Sequence, residues 1–402
     1  MTRPLIRPAP MRGFDVGDRS STWLELFFDL CFVAAIAALA DGLYVQPTLD
    51  GLWPFVALFV PVWWVWTEFT WFASAWDNDD LVHRIGTLAA MLLVLVLAAS
   101  IPRVLDGNGT LFAVTYAGMQ GLLVVMFARV LRHAGPAHRL ARDSMIGNLI
   151  GGLLMIASLW FDEPQRYWIW AIAVVELMAV PILAGRSFDG QPFDPRHLPE
   201  RYGLFTIIVL GESVVTVGIG LGEVRFDGGA VASAVLGFGI AAAIWWSYFE
   251  TVSSTALERA HVWPSFVWGY GHLLGYAGIA VTAVGVELAI EAGAQADHAL
   301  SLASRLMLCG GAAAFLLSLV AVHAVERGGS GAGMVQRWVT IAALLAMAFI
   351  ARGWPPAAIV GAVFGLLVIT VTFDVVQVGG QGLAADHLPD DEEPAAIEGE
   401  NS

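Results

Sequence analysis

Twelve runs of roughly 20 apolar residues, parted by short polar or glycine- and proline-containing breaks, restrict this chain more than any other feature. They fall near 22–44, 50–75, 82–102, 110–132, 144–161, 166–185, 202–222, 229–252, 264–290, 300–323, 335–352 and 355–378. Each is long enough to cross the hydrocarbon core of a bilayer as an α-helix. Because lipid cannot pair with backbone N–H and C=O groups, a spanning segment must satisfy them internally, and continuous runs of this length do so as helices. The expected fold is an all-α polytopic membrane protein of about 12 transmembrane helices. Charged residues make up 14% of the 402 positions and hydrophobic ones 57%, whereas a soluble domain carries about 25% charge.

Orientation is read from arginine, since the chain has no lysine. If the spans alternate, 15 arginines, among them Arg84, Arg129, Arg201 and Arg337, lie on the side of the N-terminus; 4 lie opposite and Arg305 falls inside a span. The positive-inside rule then puts both termini in the cytoplasm of a bacterial inner membrane. The expected organisation is a cytoplasmic tail over 1–21, a first six-helix unit over 22–185, a cytoplasmic linker over 186–201, a second six-helix unit over 202–378 and an acidic tail over 379–402. No removable signal peptide is expected, because the Arg- and Pro-rich start lacks a small-residue cleavage pattern.

The two six-helix units read as a repeat. Trp63-Trp64 precedes Glu68 by the same offset as Trp245-Trp246 precedes Glu250, and His83-x-x-Gly86 and His272-x-x-Gly275 follow. Six is even, so a 6+6 duplication is parallel, with both halves oriented alike in the membrane.

Acidic groups within the spans are the first candidates for function, because an intramembrane carboxylate costs about 2.5–3.5 kcal/mol on insertion scales. In the first span Thr22-x-x-Glu25 fits a capping box, which makes Glu25 a cap before it is a ligand. Asp29 lies one turn deeper on the same face. Asp29 and Glu68 sit at similar depth and are expected to share one cavity, where two carboxylates can hold a cation or a shared proton. The other reading pairs each with a separate cation, such as Arg84 or Arg201. Glu212 lies near mid-membrane, flanked by Gly211 and Ser213 with Thr216 one turn on, a set expected to allow close helix approach around a proton- or cation-binding carboxylate. It competes with the reading of Glu212 as a hydrogen-bonded joint between helices.

His83 and His272 are the candidate proton relays, His83 being expected at the interface. Trp64 and Trp71 flank Glu68 at helical spacing, an aromatic wall that suits a cation, although such walls also serve as core packing. Glu176, Glu287, Asp374, Asn148 and Arg305 are further intramembrane polar groups with no assignable neighbours. Trp53, Trp76, Trp160, Trp168, Trp263 and Trp354 fall near span ends, as an aromatic belt does.

Other classes are disfavoured. HExxH, GxSxG and P-loop patterns are absent, so no enzyme activity and no cofactor are expected. Cys31 and Cys309 lie in apolar runs without metal-ligand spacing, so no metal is expected. A net charge of −15 argues against nucleic acid. The expected partners are lipid, a small solute or monovalent cation or proton, and a second copy of the chain.

Two long motifs carry a resemblance. Thr22-x-Leu24-Glu25-Leu26-Phe27-Phe28-Asp29-Leu30-x-Phe32-Val33 and Glu200-Arg201-Tyr202-Gly203-Leu204-Phe205-Thr206-Ile207-Ile208-Val209-Leu210-Gly211-Glu212-Ser213 resemble the hallmarks of the bacterial low temperature requirement protein A family, and His272 resembles its later His-bearing helix. The resemblance covers roughly 19–378. It implies a polytopic inner-membrane protein linked by name to growth in the cold, and little chemistry. A weaker likeness, Arg19 with Phe27-x-Asp29-x-x-Phe32, is similar to the Phe-Ser-Asp motif of a two-repeat potassium-channel family, but Phe28 replaces the serine and the seventh span lacks the motif. The reading is a secondary transporter of a small solute or ion. Its alternatives are an ion channel of the same architecture, and a membrane enzyme or lipid-interacting scaffold that transports nothing.

Overall fold

The computed structural model describes residues 21–76, 80–185, 194–223, 227–252, 257, 262–294, 299–327 and 332–385. The tails expected over 1–21 and 379–402 therefore lie largely outside the described residues. Twelve long helices follow one another: α1 (Trp23–Val45), α2 (Leu49–Ala75), α3 (Leu81–Leu105), α4 (Thr110–Val130), α5 (His138–Ala157), α6 (Gln165–Gly185), α7 (His197–Glu223), α8 (Gly228–Thr251), α9 (Val262–Gly293), α10 (Leu302–Arg327), α11 (Ala332–Ile350) and α12 (Pro356–Ala385). All twelve are long and apolar enough to cross a membrane, and the protein is an all-α, multi-pass membrane protein.

The helices begin where the sequence supplies caps. Thr22 and Glu25 complete the capping box of α1. The side chains of Thr48, Asp80 and Asp227 accept backbone N–H groups at the starts of α2, α3 and α8. The last two spans part at Gly353, whose φ of 76° an L side chain rarely adopts, and α12 starts after Pro355. The seventh helix begins at His197, inside the expected linker. Arg201 thus lies in the second turn of a span and not at its edge.

Glycine sets the closest helix pair. A Cβ on Gly278 would stand 2.6 Å from the carbonyl oxygen of Gly311, and one on Gly285 would stand 2.5 Å from the amide nitrogen of Leu308. This lets α9 and α10 approach as small-residue seams do in membranes. Elsewhere α1 packs on α2 and α3, α7 on α8 and α9, and α12 on α8. The first six helices meet the last six where α1 and α2 touch α7 and α9. Leu92, Leu153, Val235 and Ile350 remain exposed, on faces suited to lipid.

Three expectations change here. Trp76, expected in the aromatic belt, is buried, while Trp53, Trp160, Trp168 and Trp354 are exposed as a belt requires; Trp263 is not among the described side chains. Gly211 is exposed with nothing within 4 Å of a Cβ built on it, so it serves no close helix approach. The Trp-Trp-x-x-x-Glu match does not reproduce its surroundings: Trp63 and Trp64 are buried, Trp245 and Trp246 are exposed, and Glu250 is the next-to-last residue of its helix.

Candidate functional site

The two acids expected to share a cavity, Asp29 and Glu68, lie in unlike surroundings. Asp29 is fully buried in a closed cluster where α1, α2 and α7 meet. Arg201 grips it in a bidentate pair, Nε donating to Oδ2 at 3.1 Å and Nη2 to Oδ1 at 2.5 Å. Trp66 Nε1 adds a third hydrogen bond to Oδ1 at 2.8 Å. Arg201 Nη1 also lies 3.5 Å from Glu25 Oε1, and His197 Nε2 lies 3.5 Å from Glu25 Oε2. Glu25 in turn accepts the Thr22 backbone N–H at 2.7 Å and faces the positive end of the α1 dipole. Trp66 is stacked on Phe205 of α7 with ring centroids 4.1 Å apart, which holds its indole N–H on the acid. Removing two charges from water is costly unless the pairing is close and complete. Here both Asp29 oxygens accept from donors inside the cluster, Oδ1 from two and Oδ2 from one.

Glu68 is on the other face of α2. Two residues on a helix differ by about 200°, so Trp66 and Glu68 point oppositely. Glu68 receives a hydrogen bond from Gln120 Nε2 of α4 at 2.7 Å, has the Trp64 indole beside it as a second donor, and has no cationic partner within ion-pair distance among the described residues. It lines a cavity of about 60 Å³ at the end of the bundle where α2, α4 and α6 finish and α5 and α9 start. Aromatic side chains form nearly half of its wall: Trp64, Trp71, Phe72, Trp76, Phe127 and Phe266. Asp29 is not among the lining residues, so the expected shared cavity of Asp29 and Glu68 does not exist; each acid has its own environment.

Other polar atoms converge on Glu68. Asn148 of α5 lines the cavity, spends its amide N–H on the Ser144 carbonyl at 2.7 Å and keeps a buried, unpartnered Oδ1. Tyr116 stands beside Gln120, and the Trp64 indole stands beside Glu68. Glu176 of α6 is near enough to Glu68 for the two charges to repel, and its Oε2 is buried and unpartnered. Val180 and Pro181, about one turn beyond Glu176, line the same cavity. Such an acidic, acceptor-rich pocket can hold a proton or a cation.

The remaining candidates are dispersed. Glu212 is half-buried with neither a hydrogen bond nor an ion pair among the described residues, and its electrostatic neighbour is another acid, Asp41 of α1. Asp41 is about 18 Å along α1 from Asp29. Thr216 is buried, and Ser213 turns its hydroxyl back onto the Val209 carbonyl at 3.4 Å. His272 is enclosed by the rings of Tyr202, Trp268 and Tyr276. Its Nδ1 donates to the Trp268 carbonyl at 2.7 Å, which leaves the Nε2 of a neutral ring to accept from Tyr248 Oη at 3.0 Å. It joins α8 to α9. His83 is buried in the first turn of α3, where its backbone N–H bonds Asp80, and Asp80 pairs with Arg129.

The Asp29–Arg201 pair is the alternative expected from the sequence, whereas Glu176, Gln120 and Asn148 are residues that sequence reasoning failed to bring to a site. Arg337 is similar to Arg201, a buried arginine pairing with Asp374 at 3.0 Å, and Arg305 spends its guanidinium on the carbonyls of Ala348 and Leu300.

The family model described as Bacterial low temperature requirement A protein (LtrA) matches residues 20–373. The chain belongs to this family. The match takes in both clusters and runs into α12, so the LtrA domain and the membrane region are the same unit. A Rhizobium meliloti (strain 1021) relative, Uncharacterized protein RA0937, is 28% identical over 298 residues, covering 70% of this chain and 72% of its own. No solved structure matches the chain.

Proposed function

We propose that this LtrA protein is a secondary transporter of a small solute or cation in the bacterial cytoplasmic membrane, with both termini in the cytoplasm. The observation that carries this reading is Glu68, an intramembrane carboxylate that lines a cavity, is held by neutral donors and has no cationic partner among the described residues. A closed structural joint has no use for such a group, because its charge is costly in lipid until a proton or cation joins it. In a carrier that dependence on a proton or cation is the coupling step.

The side of the membrane follows from the arginine partition, which supports a cavity facing the cytoplasm. A parallel 6+6 arrangement is supported by the meeting of α1 with α7, the first helices of the two halves. In this reading the Asp29–Arg201 pair fastens the halves at their cytoplasmic ends while the rest of the interface shifts around it. Glu212 and Asp41 provide a second acidic station nearer the opposite face.

Flux into liposomes tests the reading. Purified protein should carry protons, monovalent cations or small amines above the rate of empty vesicles and respond to an imposed gradient, and Glu68→Gln should abolish this. Flux equal to that of empty vesicles for every species overturns it, and uncoupled downhill conductance replaces the carrier with a channel.

A further inference from the structure

We infer that the Glu68 cavity is a binding site for a small organic ammonium ion, of the size of methylammonium or dimethylammonium. This rests on the proposed transport site and adds the chemical class of what occupies it.

Size comes first. About 60 Å³ holds a molecule of a few heavy atoms. Sign comes from the acids: Glu68 lines the cavity, Glu176 stands within reach of its field, and no cation offsets either among the described residues. An anion is therefore repelled.

The walls then separate organic from inorganic cations. Sodium, potassium or a divalent ion needs a shell of several oxygen ligands to replace its water. Most of the wall here is apolar and nearly half of its residues are aromatic; the rings attract a cation through their quadrupole and accommodate methyl groups, but supply no oxygen shell. Among the polar groups of the wall, Glu68 and Asn148 Oδ1 are acceptors that can take N–H donors. Asn148 Oδ1 is buried and unpartnered, and Glu68 keeps acceptor capacity beyond its bond from Gln120. An alkylammonium ion presents two or three N–H donors at one end and carbon at the other, which matches an acidic corner set in an aromatic box.

Binding of radiolabelled methylammonium to the full-length protein in detergent tests this without reference to transport. The expected result is saturable binding that dimethylammonium displaces and equimolar sodium or potassium does not. Glu68→Gln, confirmed as folded by size-exclusion and thermal melting, should lose at least tenfold in affinity. Phe127→Leu keeps the apolar volume and removes a ring, and it should lose roughly threefold to thirtyfold. Absence of saturable binding by the wild type, equal displacement by potassium, or unchanged affinity in a folded Glu68→Gln protein overturns the inference. The proposed function fails separately: binding without flux in liposomes leaves the site and removes the carrier, whereas flux of another solute without methylammonium binding leaves the carrier and removes this ligand class.

Discussion

Asp29 and Glu68 are both carboxylates on the first two helices, and their surroundings differ in nearly every respect. Asp29 has a bidentate arginine, an indole donor and complete burial. Glu68 has one amide donor, an acidic neighbour and a cavity. An intramembrane acid that is fully paired holds helices together, and one left without a cation has affinity to spare. The contrast separates joint from site more sharply than depth in the membrane does.

The comparison can be broken by substitution. The largest expected effect on stability is that of Arg201→Met, which leaves Asp29 buried and unpaired and should cost about 3–5 kcal/mol, read as a large fall in melting temperature and in yield of folded protein. Adding Asp29→Leu to that variant removes the stranded charge and should recover much of the loss. Trp66→Phe comes next. It withdraws one hydrogen bond from a charged acceptor and should cost about 1.5–3 kcal/mol by the same measurement. Thr22→Ala removes the hydroxyl half of the α1 capping box and should cost about 1 kcal/mol. Smallest of all is Glu68→Gln, whose amide oxygen still accepts from Gln120; it should leave the melting temperature unchanged or slightly raised while abolishing flux.

Much of this was legible in the sequence, for a physical reason. Spanning length and capping are local properties, so all twelve helices and the Thr22–Glu25 box could be read directly. Which helices touch is not local. Asp29 and Arg201 are separated by 172 positions, and Arg201 was read as an edge cation because α7 begins upstream of its apolar run, at His197. Glu176 and Asn148 were visible as polar residues in spans, yet only packing brings α5 and α6 against α2. The two-residue offset between Trp66 and Glu68 already turns them to opposite faces of α2, which separates the Asp29 cluster from the Glu68 cavity. The matched Trp-Trp-x-x-x-Glu strings were misleading for the complementary reason, since identical spacing near a helix end and inside a helix meets different neighbours.

The most direct test measures melting temperature and liposome flux side by side for Glu68→Gln and Asp29→Asn. The account predicts that Glu68→Gln melts as the wild type does and carries nothing, while Asp29→Asn is destabilised, with any loss of flux explained by loss of folded protein. A Glu68→Gln protein that transports at the wild-type rate, or one lost only through failure to assemble, would contradict it.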